Sequence, residues 1–207
     1  MKENNKFLPL ENLENIEEKT VSSKTLFEGH VINLHLDDIS LPNGKPAFRE
    51  YCTHNGAVCV IPITDNNEVI CVRQYRYAVR KPLIEIPAGK LDSINESPDD
   101  AVRRELREET GAIAGSLTFL GIYYGSPAIL SEKIYMYLAK DLTFGSCDPD
   151  DDEFLETLRI PLPDLVTMVL NGEIEDGKFF ADCSYGSCPY ESSCQIAEKL
   201  REMEAEV

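Results

Sequence analysis

Within one short stretch, Arg104-Glu105-Leu106-Arg107-Glu108-Glu109, the chain carries three carboxylates and two guanidinium groups, and a further acid, Glu96, precedes them. Ser97 can cap a helix, Pro98 suits its first position, Asp99 and Asp100 complement its dipole and Gly111 stops it, which predicts a helix over residues 98–110. Set Ala101 at zero on a wheel of about 100° per residue. Glu105 then falls at about 40°, Glu109 at about 80°, Val102 at about 100° and Leu106 at about 140°, with Glu108 at about 340°. Arg103 and Arg107 fall at about 200° and 240°, on the opposite, solvated side. The carboxylates share the apolar side, and a merely wet charged face would have put them with the arginines.

Carboxylates clustered within one turn repel each other and cost desolvation unless a cation lies between them. A hard divalent metal satisfies both demands. Magnesium prefers octahedral oxygen coordination, keeps several waters and sits between a few carboxylates and substrate phosphates. The overall charge needs such an ion if the substrate is a polyphosphate, because Lys and Arg number 20 against 37 Asp and Glu, a net −17. That balance also disfavours nucleic acid and anionic membrane as partners.

The elements that must position this helix are mostly strands. Ile32, Leu34 and Leu36 alternate with Asn33, His35 and Asp37, and Pro42-Asn43-Gly44-Lys45 is a hairpin turn before Ala47–Cys52. This is an N-terminal β-unit with an apolar face to bury. Ala57 to Ile63 is a buried strand and the longest wholly apolar run, far short of the ~20 residues that span a bilayer. Asp65-Asn66-Asn67 turns the chain into Val69–Tyr75, and Leu83–Ile86 ends at Pro87-Ala88-Gly89. Beyond the helix come strands at Thr118–Tyr124, Lys133–Ala139 and Phe154–Ile160, a short helix Pro163–Leu170 closed by Asn171-Gly172, and a C-terminal helix Ser192–Glu206. Mixed strands with few helices argue an α+β protein, organised as residues 1–55 and 56–207.

The opening Met1-Lys2-Glu3-Asn4-Asn5-Lys6 leads into an acidic stretch instead of an apolar one, which points to the cytoplasm. Seven cysteines, with Cys52, Cys59 and Cys71 inside apolar segments, fit reduced thiols there. Cys183, Cys188 and Cys194 lack the tight pairing of a structural zinc site.

Gly89, Glu96 and the run Arg104–Ala112 resemble the Nudix box, GX5EX7REUXEEXGU with U aliphatic. Spacing is complete from Glu96 onward; between Gly89 and Glu96 stand six residues instead of five, an insertion in the loop Lys90–Asn95. Val72-Arg73-Gln74-Tyr75-Arg76-Tyr77, Glu85–Asp92 and Gly125-Ser126-Pro127 resemble the ADP-ribose pyrophosphatase branch, in which a proline follows the box by about fifteen residues, as Pro127 follows Ala112 here. Ala128 departs from the glycine that branch often has. The resemblance covers roughly residues 18–180.

The resemblance implies a Nudix fold, an α/β/α sandwich with a mixed sheet behind a small antiparallel β-unit. It implies that Glu105, Glu108, Glu109 and the carbonyl of Ala88 hold magnesium, with manganese as the alternative, while Arg104 orients the glutamates and Glu96 supports the cluster. Relatives often carry a general-base glutamate in the loop matching Asp148–Glu153, here Glu153, with Asp151 and Asp152 as competitors and a plain solvated acid run as the rival reading. Glu85 and Pro127 fall in the branch's substrate-binding stretches. Arg49 and Arg76 are candidate anion or ribose contacts, against ordinary strand-surface arginines, and Phe27 a candidate adenine stack, against local packing. The branch also implies a homodimer joined through the N-terminal strands, whose apolar face a lone hairpin leaves unburied. The implied activity is hydrolysis of ADP-ribose to AMP and ribose 5-phosphate. The rivals are hydrolysis of another nucleoside diphosphate sugar and an ADP-ribose sensor without turnover; a calcium module lacks the EF-hand glycine and spacing.

Overall fold

The computed structural model describes residues 16–148 and 153–179. The chain forms two compact units: one runs through His54 and takes in Ser126–Ser131, the other comprises Asn55–Gly125 and the chain from Glu132 onward. Among the described residues no helix is long and apolar enough to cross a membrane. The expected C-terminal helix, Asp151, Asp152, Cys183, Cys188 and Cys194 lie outside the described residues.

The first unit is an antiparallel meander of β1 (Lys19–Glu28), β2 (Asn33–Ser40) and β3 (Pro46–Thr53), ordered β1-β2-β3. Its second turn is the expected one, with Gly44 at φ 78° and the Asn43 side-chain oxygen accepting the Lys45 N–H at 3.0 Å. Ser126–Ser131 joins along β3, where the Cys52 N–H donates to the Ile129 carbonyl at 2.8 Å and the Ser131 N–H to the Cys52 carbonyl at 3.0 Å. The face of β2 differs from the sequence expectation. Ile32 precedes the strand and is exposed, and Leu34 and Leu36 are half-buried, whereas Asp37 and Ile39 are the buried residues. Tyr51 accounts for the reversal, because its ring stacks on His35 and its hydroxyl donates to Asp37 at 3.2 Å. Cross-strand pairing therefore overrides the simple apolar alternation.

The second unit holds β4 (Ala57–Pro62), β5 (Glu68–Arg76), β6 (Lys81–Glu85), β7 (Ala88–Lys90), α1 (Pro98–Thr110), β8 (Ala112–Tyr123), β9 (Ile134–Phe144), β10 (Leu155–Pro161) and α2 (Leu162–Leu170). One sheet runs β7-β4-β9-β8 and is mixed, since β4 pairs with β9 in parallel and its other pairings are antiparallel; the second runs β10-β5-β6. β4 explains its own apolar run. Val58 and Val60 face a core with Val102 and Leu106 of α1, while Ala57 and Cys59 face another with Leu165 and Val169 of α2. Helix, sheet and helix form the expected sandwich, with one strand buried on both faces.

β8 and β9 extend further than the sequence suggests, because Ala112–Ser116 pairs with Lys140–Phe144 although neither stretch has a clean period of two. β7 is a strand where the sequence suggests only a turn. Its three residues pair with Ala57–Cys59 and carry Gly89 past α1.

Candidate active site

The helix α1 begins and ends where its sequence signals stand, with Pro98 first and Gly111 in the left-handed region at φ 69°, its N–H donating to the Arg107 carbonyl at 2.8 Å. Ser97 sits at the N-cap without a side-chain bond, so it supplies backbone geometry only. The buried face is Ala101, Val102, Glu105, Leu106 and Glu109. Two acids therefore share a wall with two aliphatic side chains, as the wheel places them.

Glu105 is 8% exposed and Glu109 2%. The Ala88 N–H donates to Glu109 at 3.1 Å, and burial, with Glu105 beside it, pushes the Glu109 carboxyl up to about 8. Burial also pushes Glu105 up to about 7 despite the Arg104 guanidinium. Space for the Glu105 carboxylate exists only because residue 89 has no side chain: a Cβ there would lie 1.9 Å from the Glu105 carboxyl carbon.

Arg104 is the hub of the cluster. Its Nη1 donates to Glu105 at 2.8 Å and to Glu108 at 3.2 Å, and its Nη2 to Glu96 and to the Lys90 carbonyl, both at 3.3 Å. Glu96 accepts from Arg104 with one oxygen and from the Asp92 N–H at 2.5 Å with the other, so it braces the loop that carries the extra residue. Glu153 lines the same cavity of ≈ 630 Å³ as Glu105, Glu108, Ala88 and Gly89.

Arg76 forms part of the cavity wall. Its Nε and Nη2 donate to the two oxygens of Glu85 at 2.6 and 2.7 Å, a bidentate fork that holds the guanidinium above its ordinary value. Glu85, expected as a substrate contact, is 2% exposed, and both of its oxygens accept from Arg76. Burial would raise its carboxyl, yet Arg76 and Lys178 outweigh burial and keep it below the usual range.

Phe27, Arg49 and Pro127 belong to the first unit. Phe27 is exposed, Arg49 pairs with Glu18, and Arg49 and Pro127 line a recess together with Asp37 and Tyr51. In the second unit, Glu132, Gln74 and Lys178 also line the glutamate cavity. Gln74 stands in the stretch Val72–Tyr77 that carries the family resemblance, whereas Glu132 and Lys178 lie on no periodic face beside the box, and only the folding of the segments before β9 and after α2 brings them in.

The donor set suits a divalent cation, because two acids are buried side by side and glycine leaves the cradle that one of them fills. No three acidic, histidine or cysteine side chains among the described residues make a ready cage. Magnesium takes few protein ligands and completes its shell with water and phosphate. A prediction follows from the raised carboxyls. Both ionise later in the folded chain than in the unfolded one, so the metal-free protein loses stability as pH rises from about 4.5 towards 8. A cation bound to the ionised pair reverses that loss. Added magnesium should therefore raise the melting temperature more at about pH 8.5 than at about pH 6; equal shifts in a calorimeter would place the ion elsewhere.

Comparison with known proteins agrees with this geometry. Residues 53–183 match the family model described as "NUDIX domain", and residues 18–51 that of the "Nucleoside diphosphate sugar hydrolase N-terminal domain". The chain is 39% identical over 168 residues to the ADP-ribose pyrophosphatase of Bacillus subtilis (80% of this chain, 90% of the relative). It is 38% identical over 164 residues to the methanol dehydrogenase activator of Bacillus methanolicus (78% and 88%), and 31% identical over 175 residues to the GDP-mannose pyrophosphatase of Yersinia enterocolitica (80% and 90%). A solved structure described as an ADP compounds hydrolase superposes with a TM-score of 0.67 at 25% identity, covering 92% of this chain and 97% of its own.

Proposed function

Because the chain belongs to the Nudix family, we propose that it hydrolyses the pyrophosphate bond of ADP-ribose to AMP and ribose 5-phosphate, with magnesium, or manganese in its place, as the metal. The observation that carries this reading is the cavity lined by Glu105, Glu108 and Glu153 with Arg76 in its wall, and with the buried carboxyl of Glu109 beside Glu105. Glu105, Glu108, Glu109 and the Ala88 carbonyl would hold the ion. When bound, it polarises phosphoryl oxygens and favours ionisation of a water. Arg104 keeps three carboxylates oriented, and Arg76 offers a fixed guanidinium to the diphosphate. Glu153 takes the proton of the attacking water. Phe27 and Arg49 contact the adenosine half, and Pro127 shapes the loop beside Arg49.

The first unit also supports a homodimer: Val21, Leu26, Phe27 and Phe48 are exposed on a sheet of only three strands, more apolar surface than such a unit leaves to water by itself. On this reading residues 1–55 serve dimerisation and substrate contact, and sedimentation of the full chain gives twice its mass. The buried thiol of Cys71, outside any disulfide, supports a reducing cytoplasm as the place of work.

The test is a substrate panel with phosphate read after phosphatase treatment. AMP from ADP-ribose in preference to other sugar nucleotides supports the reading. Preference for GDP-mannose moves the substrate within the class, and tight ADP-ribose binding with no turnover makes the chain a sensor. Glu153→Gln should lower kcat by about 100-fold with KM within about twofold; near-normal kcat would remove Glu153 from the role of base.

A further inference from the structure

Behind Arg76 lie three charges, those of Glu85, Lys178 and Asp176, that the proposed chemistry does not use. Glu85 accepts from Arg76 on both oxygens, and its Oε2 also accepts from Lys178 Nζ at 2.9 Å. Lys178 donates in turn to Asp176 at 3.1 Å. The side chain of Lys178 is 15% exposed and that of Asp176 11%. Ile174 and Phe179, both buried in the α2-side core, anchor the segment and turn Lys178 inward. Two cations and two anions thus close a neutral set, one end of which, Arg76, is 40% exposed at the cavity.

A fork between one guanidinium and one carboxylate fixes their common plane but leaves that plane free to tilt. A third donor on Glu85 Oε2, itself held by a second acid, removes that freedom. It also sets the local charge. Without Lys178, Glu85 and Asp176 would leave two negative charges behind Arg76 and the whole set at a net −1, drawing the guanidinium inward and weakening the positive potential it offers to the cavity. Arg76 Nη1 has no hydrogen-bond partner within the protein among the described residues and is the nitrogen left for a ligand oxygen.

We infer that Lys178, with Asp176, is a positioning residue for the substrate diphosphate: it acts through Glu85 to hold the guanidinium of Arg76 in its binding orientation. The inference rests on the proposed hydrolysis of a nucleoside diphosphate sugar.

The test is a double-mutant cycle on KM for ADP-ribose in magnesium. Lys178→Met should raise KM about tenfold with kcat within about twofold, and Lys178→Arg should recover most of the loss. In an Arg76→Gln background the same Lys178→Met change should leave KM unmoved, because the group it positions is gone. Equal KM increments in both backgrounds would make Lys178 an independent contact and overturn the inference. So would a fall in kcat at unchanged KM. If Lys178→Met alone fails to fold, the pair Lys178→Met with Asp176→Leu removes both buried charges and carries the same expectation. Absence of turnover of every sugar nucleotide by the unmutated chain would overturn the hydrolase reading itself, and this inference with it; turnover with an additive cycle overturns this inference alone.

Discussion

Glu109→Gln lowers turnover by about two orders of magnitude or more while the metal-free protein melts at the same temperature or higher. The two halves of this expectation have one cause. Glu109 is 2% exposed beside Glu105, and its carboxyl is pushed up to about 8, so the folded chain holds its anion at a cost. Glutamine keeps the shape, still accepts the Ala88 N–H, and removes the repulsion with Glu105. What it cannot do is offer a charged oxygen to a cation. Magnesium should accordingly stop stabilising the variant in a melting experiment. Near-normal turnover at saturating magnesium would sink the assignment of Glu109 as a ligand.

Gly89→Ala should be nearly as damaging, with turnover down about 100-fold in a chain that remains folded. The added Cβ would lie 1.9 Å from the Glu105 carboxyl carbon and 2.0 and 2.2 Å from its oxygens. Gly89 has no positive φ, so alanine strains no backbone there. The whole effect falls on the end of a flexible side chain, which must leave its seat beside Arg104. The diagnostic result is a normal melting temperature without metal together with a much weaker response to magnesium. A variant with full activity would show that Glu105 reaches the metal from another rotamer.

The site was legible in the sequence where one helix carries it. The burial of Glu105 and Glu109 followed from their angular positions with Val102 and Leu106, and both helix ends followed from Pro98 and Gly111, because these are local properties of 3.6-residue geometry. The double burial of β4 was likewise visible in the run from Ala57. Legibility failed where long-range pairing decides. Asp37 is buried because Tyr51 crosses from the neighbouring strand, and β8 gains its first residues because β9 is long enough to pair them. The role of Glu85 also needed the fold: its neighbours in sequence resemble a substrate-binding stretch, while its oxygens go to Arg76 and to Lys178, 93 residues away.

The placement of β4 between two cores bears on how the protein exchanges its amide protons. Val58, Cys59 and Val60 have at most 1% exposure, and Val60 donates to the Pro87 carbonyl at 3.0 Å. Deuterium can reach these amides only when the packing against α1 and that against α2 are both lost, so their protection should report the global opening free energy of the second unit. The amides near Val102 and Leu106 share the α1 core and should exchange in step with them, whereas β1, exposed along its whole length, should exchange early. Glu105 and Glu109, on α1, should therefore ride on the part of the second unit that opens last. In rising denaturant, activity should persist up to the cooperative transition and vanish within it, without a separate earlier step.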